Sequence, residues 1–323
     1  MTSRVLVTTR FTRASTADEV PQGIDLGGVR AIVTGGSSGL GVETARALAA
    51  AGAAVTLAVR NTNVGQSVAD EIKRSGVAIS PEVRRLDLAS RKSVADFIDA
   101  WAGPLHLLVN NAGLVTGGLE RTVEGWEMQF ATNHLGHFAL AAGLHDALAD
   151  GASERGGARI VSLSSTAHMR ADIDFDDLHF ERRSYDPQIA YAQSKTANSL
   201  FAVEATRLWG ADGIVANAVN PGGVATGLQR NFTPRQKESL DAAYAAGVFS
   251  YKTIEQGAST TMVAAVAPEF AHTGGHYLDD CQEAYTVPND AELADHPHGV
   301  KAWALEPAHA QHLWTVSTGL LNS

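Results

Sequence analysis

The chain has 323 residues, of which 45% are hydrophobic and 19% are charged, with a formal net charge of −10 at pH 7. A chain of this length and composition can bury a large core, which excludes a disordered or fibrous protein. The acidic balance predicts no nucleic-acid partner, and the single cysteine, Cys281, excludes an intrachain disulfide and a cysteine-built metal site.

Residues 1–27 are predicted to form an N-terminal extension. The first 14 residues include arginines and no acidic residue, which is typical of a transit peptide or of a disordered or loosely docked tail, the interpretation we prefer. Thr16 and Glu19 have the spacing of a capping box and predict a short helix. No signal-peptide core is present, and the longest nearly apolar run, residues 47–59, is too short for a membrane span. We therefore expect a cytoplasmic protein.

From residue 28 onward, short apolar runs alternate with longer amphipathic stretches. This alternation predicts a single α/β domain over residues 28–323, a doubly wound parallel sheet of the Rossmann type with about seven strands and helices on both faces. The predicted strands are 29–34, 54–59, 82–87, 105–110, 158–164 and 214–220. The predicted helices are 39–51, 64–75, 91–102, 123–150, 188–211 and 255–267.

Two later segments belong to the same predicted domain. Residues 222–250 carry little strand signal after the last clear strand, which is typical of an active-site lid. Residues 290–323 are predicted to be a helical C-terminal segment that Trp303 and Trp314 pack against the domain. The histidines of this region have no clear metal-binding spacing, so we interpret His298 and its neighbours as surface residues and predict no metal site.

A glycine-rich loop from Gly35 to Gly41 separates the first strand from the first helix. Glycines permit a tight turn and a close backbone approach, and a helix N-terminus offers free N–H groups to a phosphate. The loop therefore predicts a dinucleotide site, the alternative being a plain glycine-rich turn.

With this loop, later motifs resemble those of the short-chain dehydrogenase/reductase superfamily, in its single-domain dehydrogenase branch. They are the loop spacing TGxxxGxG, NNAG at 110–113, Asn133 in a helix, Ser165 after the fifth strand, Tyr191 four residues before Lys195, and Pro221-Gly222 after the sixth strand. The phrases NHLGHF (133–138), RIVSLSSTAH (159–168) and DIDFDDLHF (172–180), with the long step between Ser165 and Tyr191, resemble the retinol-dehydrogenase-like group.

The resemblance implies that Asn133, Ser165, Tyr191 and Lys195 are catalytic. Tyr191 and Lys195 share one helix face, and a nearby ammonium favours the phenolate, so we expect Lys195 to lower the pKa of Tyr191. In the family, Tyr191 would exchange a proton with the substrate as general acid/base, Ser165 would hold the substrate oxygen and Asn133 would hold a water. Ser164 is a competing choice for Ser165. His168 is a predicted substrate contact, with a structural role as the alternative.

The resemblance also implies a nicotinamide cofactor. A carboxylate after the second strand would bind the ribose 2′-hydroxyl, but this strand ends at Arg60, which can pair with a 2′-phosphate. We therefore favour NADP(H) over NAD(H), with a solvated Arg60 and NAD as the alternative. The predicted cofactor residues are Gly35, Ser37, Ser38, Gly39, Leu40, Gly41, Arg60, Asp87, Leu88, Asn111, Ala112, Gly113, Tyr191, Lys195, Pro221, Gly222, Val224 and Thr226.

These observations predict an oxidoreductase that transfers a hydride between the cofactor and an apolar alcohol or carbonyl compound. The predicted pocket is formed by segments 114–119, 166–170, 184–190 and 222–250. The alternatives are a catalytically idle NAD(P)-binding regulator and an epimerase or lyase that uses bound cofactor transiently. A homodimer through helices 123–150 and 188–211 is also considered, since relatives often pair in this way.

Overall fold

The computed structural model describes residues 5–225, 234–245 and 250–323. Its central sheet has the strand order β3-β2-β1-β4-β5-β6-β7-β8, parallel except for β8, which pairs antiparallel with β7. The strands are β1 Arg30–Thr34, β2 Ala54–Val59, β3 Glu82–Arg85, β4 Leu107–Asn110, β5 Ala158–Leu163, β6 Ile214–Asn220, β7 Tyr277–Asp279 and β8 Gln282–Glu283. The predicted doubly wound α/β sheet is confirmed.

Helices cover both faces of this sheet, as predicted. Apolar residues of α1, α2 and α9 share one core with one face of the sheet, and those of α3, α5, α6 and α7 share a second core with the other face. The helices are α1 Gly39–Ala50, α2 Thr62–Arg74, α3 Arg91–Asp99, α4 Met128–Phe130, α5 Gly136–Gly143, α6 His145–Arg155, α7 Pro187–Trp209, α8 Pro234–Ala245, α9 Ile254–Val266 and α10 Pro307–Asn322.

The single helix predicted over residues 123–150 is wrong. The segment contains α4, a π-helical turn at Ala131–Leu135, α5 and the first part of α6. Its helical part begins only at Met128, because the buried carboxylate of Glu127 accepts hydrogen bonds from the N–H groups of Gln129 and Phe130 and so caps the helix. Glu127 itself forms an antiparallel bridge with Arg121.

The N-terminal extension also differs from the prediction. Residues 17–23 form turns rather than a short helix, and only one bond of the predicted capping box is present, from the Thr16 N–H to Glu19 Oε2 at 3.0 Å. Residues 5–27 are docked on the domain, where Thr9 N–H donates to Gln282 Oε1 at 2.7 Å. Four of its side chains are buried in the core that contains α1 and α9: Phe11, Ala17, Val20 and Leu26.

The C-terminal segment ends in α10, which packs along α7. The Trp314 ring lies 4.8 Å from that of Phe138 in α5 and 6.0 Å from that of Phe201 in α7. These helices belong to the segments considered above for a homodimer, so the chain covers part of that surface itself. Ahead of α10, Val300–Lys301 is a short strand, β10, that pairs with β9 at Thr286–Val287.

The strand order places a topological switch between β1 and β4. In doubly wound sheets, ligands bind outside the carboxyl ends of the strands at such a point. The turns after β1, β4, β5 and β6 therefore define the place to search for a site. In the described ranges, we find no helix that combines the length and the hydropathy of a membrane span.

Candidate active site

The glycine loop after β1 lies so close to neighbouring backbone that side chains would not fit there. Gly35 and Gly39 have φ values of +66° and +55°, which disfavour other residues. A Cβ on Gly35 would lie 2.9 Å from the Cα of Ala112, and one on Gly41 would lie 2.6 Å from the Gly35 carbonyl oxygen. Ser38 precedes α1, but its side chain does not cap the helix. The first N–H groups of α1 are therefore not taken by this residue, which fits an anionic ligand.

The loop after β4 is tied to the glycine loop through Thr34. The Thr34 hydroxyl accepts hydrogen bonds from the N–H groups of Asn111 and Ala112, each at 2.9 Å, and contacts His137 Nε2 at 2.8 Å. His137 Nδ1 lies 2.9 Å from the Asn133 carbonyl, so Nδ1 carries the proton and Nε2 accepts from Thr34. Burial lowers the pKa of His137 to about 4, which keeps it neutral. This histidine joins Asn133 to both loops.

Asn133 is buried in the π-helical turn, with its amide bonded to protein groups. Its Nδ2 donates to the Leu114 carbonyl at 3.1 Å and to Ser194 Oγ at 3.0 Å, and its Oδ1 accepts from the Leu114 N–H at 2.8 Å. A Cβ built on Gly113 would lie 3.5 Å from Asn133 Oδ1 and 3.6 Å from Lys195 Nζ. The structure therefore brings Asn133, Gly113 and Lys195 together, whereas the water that Asn133 would hold stays a prediction.

Ser165, Tyr191 and Lys195 meet at the carboxyl end of β5. The Ser165 side chain is close enough to Tyr191 to lower the pKa of its phenol. Lys195 Nζ lies 5.5 Å from the centre of the Tyr191 ring and donates to the Leu163 carbonyl at 2.8 Å. The competing serine, Ser164, is buried and donates to the Lys195 carbonyl at 2.8 Å. Geometry therefore favours Ser165 as the serine that works with Tyr191.

Burial dominates the proton equilibria of this group. It raises the pKa of Tyr191 to about 12, against opposing effects of the Ser165 hydrogen bond and the Arg170 charge. It also lowers the pKa of Lys195 to about 8. Our expectation that Lys195 brings the Tyr191 pKa down is therefore not met by the protein's own groups, because desolvation disfavours both charged forms. At neutral pH Tyr191 is a phenol that can donate a proton.

His168, a predicted substrate contact, is enclosed by protein groups. It is fully buried, its Nδ1 donates to the Ser165 carbonyl at 2.7 Å, and its Nε2 accepts from the Lys301 N–H at 3.2 Å. Burial lowers its pKa to about 4, so it is neutral. With no exposed surface and both nitrogens bonded to protein, His168 holds the 3₁₀ turn Thr166–Arg170 against β10, which favours the structural alternative over the substrate contact.

The predicted adenosine-side residues lie at the ends of β2 and β3. Arg60 is exposed directly after β2, and within the described part of the chain it makes no hydrogen bond or ion pair. The next residue, Asn61, caps α2. Asp87 accepts from the Ala89 N–H at 3.2 Å, and Leu88 is buried. The Arg60 guanidinium is therefore free to meet an anion.

The residues after β6 form a turn that begins at Pro221. Gly222 has a φ of +80°, and Val224 forms a parallel bridge with Lys252. The predicted cofactor residue Thr226 lies outside the described residues, as do 227–233 and 246–249 of the predicted lid. Within that lid the structure describes α8.

One group near the predicted pocket was missed at the level of sequence. The Tyr185 hydroxyl donates to Glu127 Oε1 at 2.9 Å, accepts from Gln129 Nε2 at 2.8 Å and contacts Thr116 Oγ1 at 2.9 Å. It thereby joins the predicted pocket segments 114–119 and 184–190. No local pattern marks these residues, because they are far apart in the chain.

Comparisons with known proteins identify the family. The family model described as short chain dehydrogenase matches residues 30–237. A "Probable oxidoreductase" of Streptomyces antibioticus is 47% identical over 305 residues, covering 93% of this chain and 100% of the relative. Retinol dehydrogenase 12 of Mus musculus is 35% identical over 303 residues, covering 92% of this chain and 88% of the relative.

Solved structures show the same fold. An uncharacterised protein of Mycobacterium paratuberculosis aligns with a TM-score of 0.71 and 31% identity, covering 96% of this chain and 98% of the other. A candidate gluconate 5-dehydrogenase of Beutenbergia cavernae with bound NADP aligns with a TM-score of 0.62 and 25% identity, covering 79% of this chain and 95% of the other. The chain therefore belongs to the short-chain dehydrogenase family and is an NAD(P)-dependent oxidoreductase of its retinol-dehydrogenase-like group.

Proposed function

We propose that the protein transfers a hydride between NADP(H) and an apolar alcohol or carbonyl compound, with Tyr191 as the general acid/base. The observation that carries the proposal is the meeting of Ser165, Tyr191 and Lys195 at the carboxyl end of β5. Two neighbouring hydroxyl groups can both reach one substrate oxygen, which orients the substrate for reaction.

The nicotinamide supplies or accepts the hydride, and the protein's residues handle the proton. In reduction, Tyr191 donates its hydroxyl proton to the carbonyl oxygen, which suits a phenol with its pKa raised to about 12. Ser165 donates a hydrogen bond to the same oxygen and holds it beside Tyr191. The adjacent Lys195 cation stabilises the phenolate that remains. In oxidation these roles reverse, and the positive charge of the oxidised nicotinamide adds to that of Lys195.

The residues around the switch point fit a dinucleotide. The uncapped first turn of α1 suits a pyrophosphate, and the free Arg60 suits a 2′-phosphate. Lys195, beside Gly113, would bind the second ribose. The NADP found with the Beutenbergia protein is consistent with this choice of cofactor.

The apolar substrate is proposed from the segments around Tyr191. Leu114, Val115 and Ile189 lie in the predicted pocket segments that the partly buried Thr116–Tyr185 contact joins. The proposals of a cytoplasmic location and of a homodimer rest on the sequence and the resemblance alone.

Turnover assays test the reaction. Purified protein should change the absorbance of the reduced nicotinamide when it is given aliphatic or aromatic alcohols or carbonyl compounds, and the rate should increase with the length of the apolar chain. Binding of cofactor without turnover of any compound would favour the idle regulator. Product formation without a net absorbance change would favour the epimerase or lyase.

Arg60→Asp should reverse the cofactor preference. It removes a charge-assisted pair with the 2′-phosphate and places a negative charge beside it, so NADP(H) should bind about 10- to 150-fold more weakly. NAD(H) should bind as well as before or better. Calorimetric dissociation constants for both cofactors measure this, with Arg74→Asp at the other end of α2 as the matched control. Wild-type protein that binds NAD(H) more tightly would refute the preference, and equal weakening of both cofactors would make Arg60 structural.

A further inference from the structure

The turn between β7 and β8 gathers charges from distant parts of the chain. Asp280 adopts a φ of +47°, unusual for a residue with a side chain. Its carboxylate lies 2.5 Å from Lys252 Nζ, 3.4 Å from His298 Nδ1 and 3.9 Å from Arg13 Nε. The neighbouring Asp279 pairs with His298 at 2.8 Å. His298, interpreted from sequence as a surface residue, thus joins both carboxylates.

The pair between Lys252 and Asp280 joins a buried ammonium to a partly buried carboxylate, unlike an ordinary surface pair. The two side chains are 1% and 18% exposed, compared with 83% and 61% for Lys92 and Asp96. Exposed pairs contribute little to stability, whereas burying a charge is unfavourable unless its partner is well placed. Such a pair holds the segment around Lys252 against the β7–β8 turn, since the loss of either partner leaves the other charge uncompensated.

Lys252 joins this cluster to the turn after β6. Its N–H donates to the Gly223 carbonyl at 2.8 Å, and its stem lies under Gly222, where a Cβ would be 3.0 Å from Lys252 Cε. The second carboxylate reaches the same turn through Asn220, whose Nδ2 donates to Asp279 at 3.0 Å and whose Oδ1 accepts from the Gly222 N–H at 3.2 Å. Both aspartates are therefore linked to residues 221–224, Asp280 through Lys252 and Asp279 through Asn220.

The N-terminal extension reaches the same cluster. Arg13 Nη2 donates to the carbonyl and the hydroxyl of Ser250 at 2.6 and 2.7 Å, while its Nε faces Asp280. Ser250 lies two residues before Lys252. The N-terminal extension therefore holds the segment that contains Ser250 and Lys252.

The position of this turn in the sheet indicates what it would affect. A doubly wound sheet binds one nucleotide against each half, on either side of the switch point. The glycine loop and Arg60 follow β1 and β2, in the first half, whereas the supported turn follows β6, in the second. We propose that Lys252 and Asp280 are positioning residues that fix the turn 221–224 for the nicotinamide half of the cofactor. This inference rests on the proposed function.

A comparison of two ligands tests it. Lys252→Met leaves the Asp280 carboxylate without its cation, so the turn 221–224 should lose its support. NADP(H) should then bind at least about tenfold more weakly. It should leave 2′,5′-ADP, which is the adenosine half alone, within about twofold of wild type. Lys252→Arg should restore part of the NADP(H) affinity, because it keeps the charge. Lys92→Met, which removes an exposed pair, is the matched control and should change neither ligand.

The outcomes separate the hypotheses. Retained 2′,5′-ADP binding shows that a variant is folded, and Asp280→Asn provides a milder variant if Lys252→Met does not fold. A Lys252→Met protein that binds NADP(H) like wild type overturns the inference. Equal loss of both ligands by the milder Asp280→Asn protein also overturns it, since the cluster would then support the whole fold. Wild-type protein that binds neither ligand refutes the proposed NADP(H) dependence, on which this inference rests.

Discussion

Tyr191→Phe is expected to reduce turnover by a factor of about 10² to 10⁴, the usual contribution of a positioned general acid or base. The ring keeps its packing, and only the hydroxyl that meets Ser165 is lost. Cofactor affinity should therefore stay close to that of wild type. Steady-state kinetics with a substrate from the panel, together with a cofactor dissociation constant, measure both effects.

The control for this substitution is Tyr285→Phe, which removes the hydroxyl of an exposed tyrosine. It should leave turnover unchanged. If Tyr191→Phe kept more than about 1% of the wild-type rate, the role assigned to the phenol would be wrong, since general acid/base catalysis contributes at least about 10². A loss of cofactor binding equal to the loss of turnover would instead indicate a structural role.

Lys195→Met is expected to abolish most turnover and weaken cofactor binding while making the protein more stable at neutral pH. Burial lowers the pKa of Lys195 to about 8 from 10.5, so the folded protein holds this proton less tightly than the unfolded chain. At pH 7 both states are protonated, and the folded state carries an unfavourable free energy of about 3 kcal/mol. Methionine removes that charge at similar volume. The Leu163 carbonyl keeps a donor, Asn198 Nδ2 at 2.8 Å.

The sign of the pH dependence follows from the same pKa. Between about pH 8 and 10.5 the unfolded chain binds more protons than the folded one, so wild-type stability at this site rises with pH. The advantage of Lys195→Met should therefore be largest at pH 7 and shrink toward pH 10. Urea unfolding at both pH values measures it, with Lys92→Met as an exposed control. A variant less stable than wild type at pH 7 would show that Lys195 stabilises the fold.

If Lys195→Met loses activity but gains stability, the lysine is kept for its role in the reaction although it destabilises the fold. Active sites commonly hold groups that the fold alone would disfavour. Here the buried ammonium lies near Gly113 and the Tyr191 ring. In the proposed mechanism it acts from this position on the phenol and on the cofactor ribose. The Lys195→Met measurement would therefore separate the catalytic contribution of this charge from its structural contribution.

Local patterns in the sequence were sufficient for much of the fold, whereas the resemblance to a known family indicated the candidate site residues. Apolar runs located six strands of the sheet, and the glycines marked the turn into α1. The spacing of Tyr191 and Lys195 placed both on one helix face because helical periodicity is fixed by backbone geometry. The short β7 was not located, since three residues carry too little pattern to predict a strand.

Only the tertiary structure decided which residues meet and which protonation states they adopt. Arg13, Lys252 and His298 converge on Asp280 because the sheet brings together segments that are far apart in sequence. The pKa of Tyr191 rises although a lysine lies four residues away, because desolvation depends on the surrounding packing and not on chain neighbours. The sequence alone determined the periodicities and turns, which are local properties. Contacts and burial depend on the complete packing of the chain.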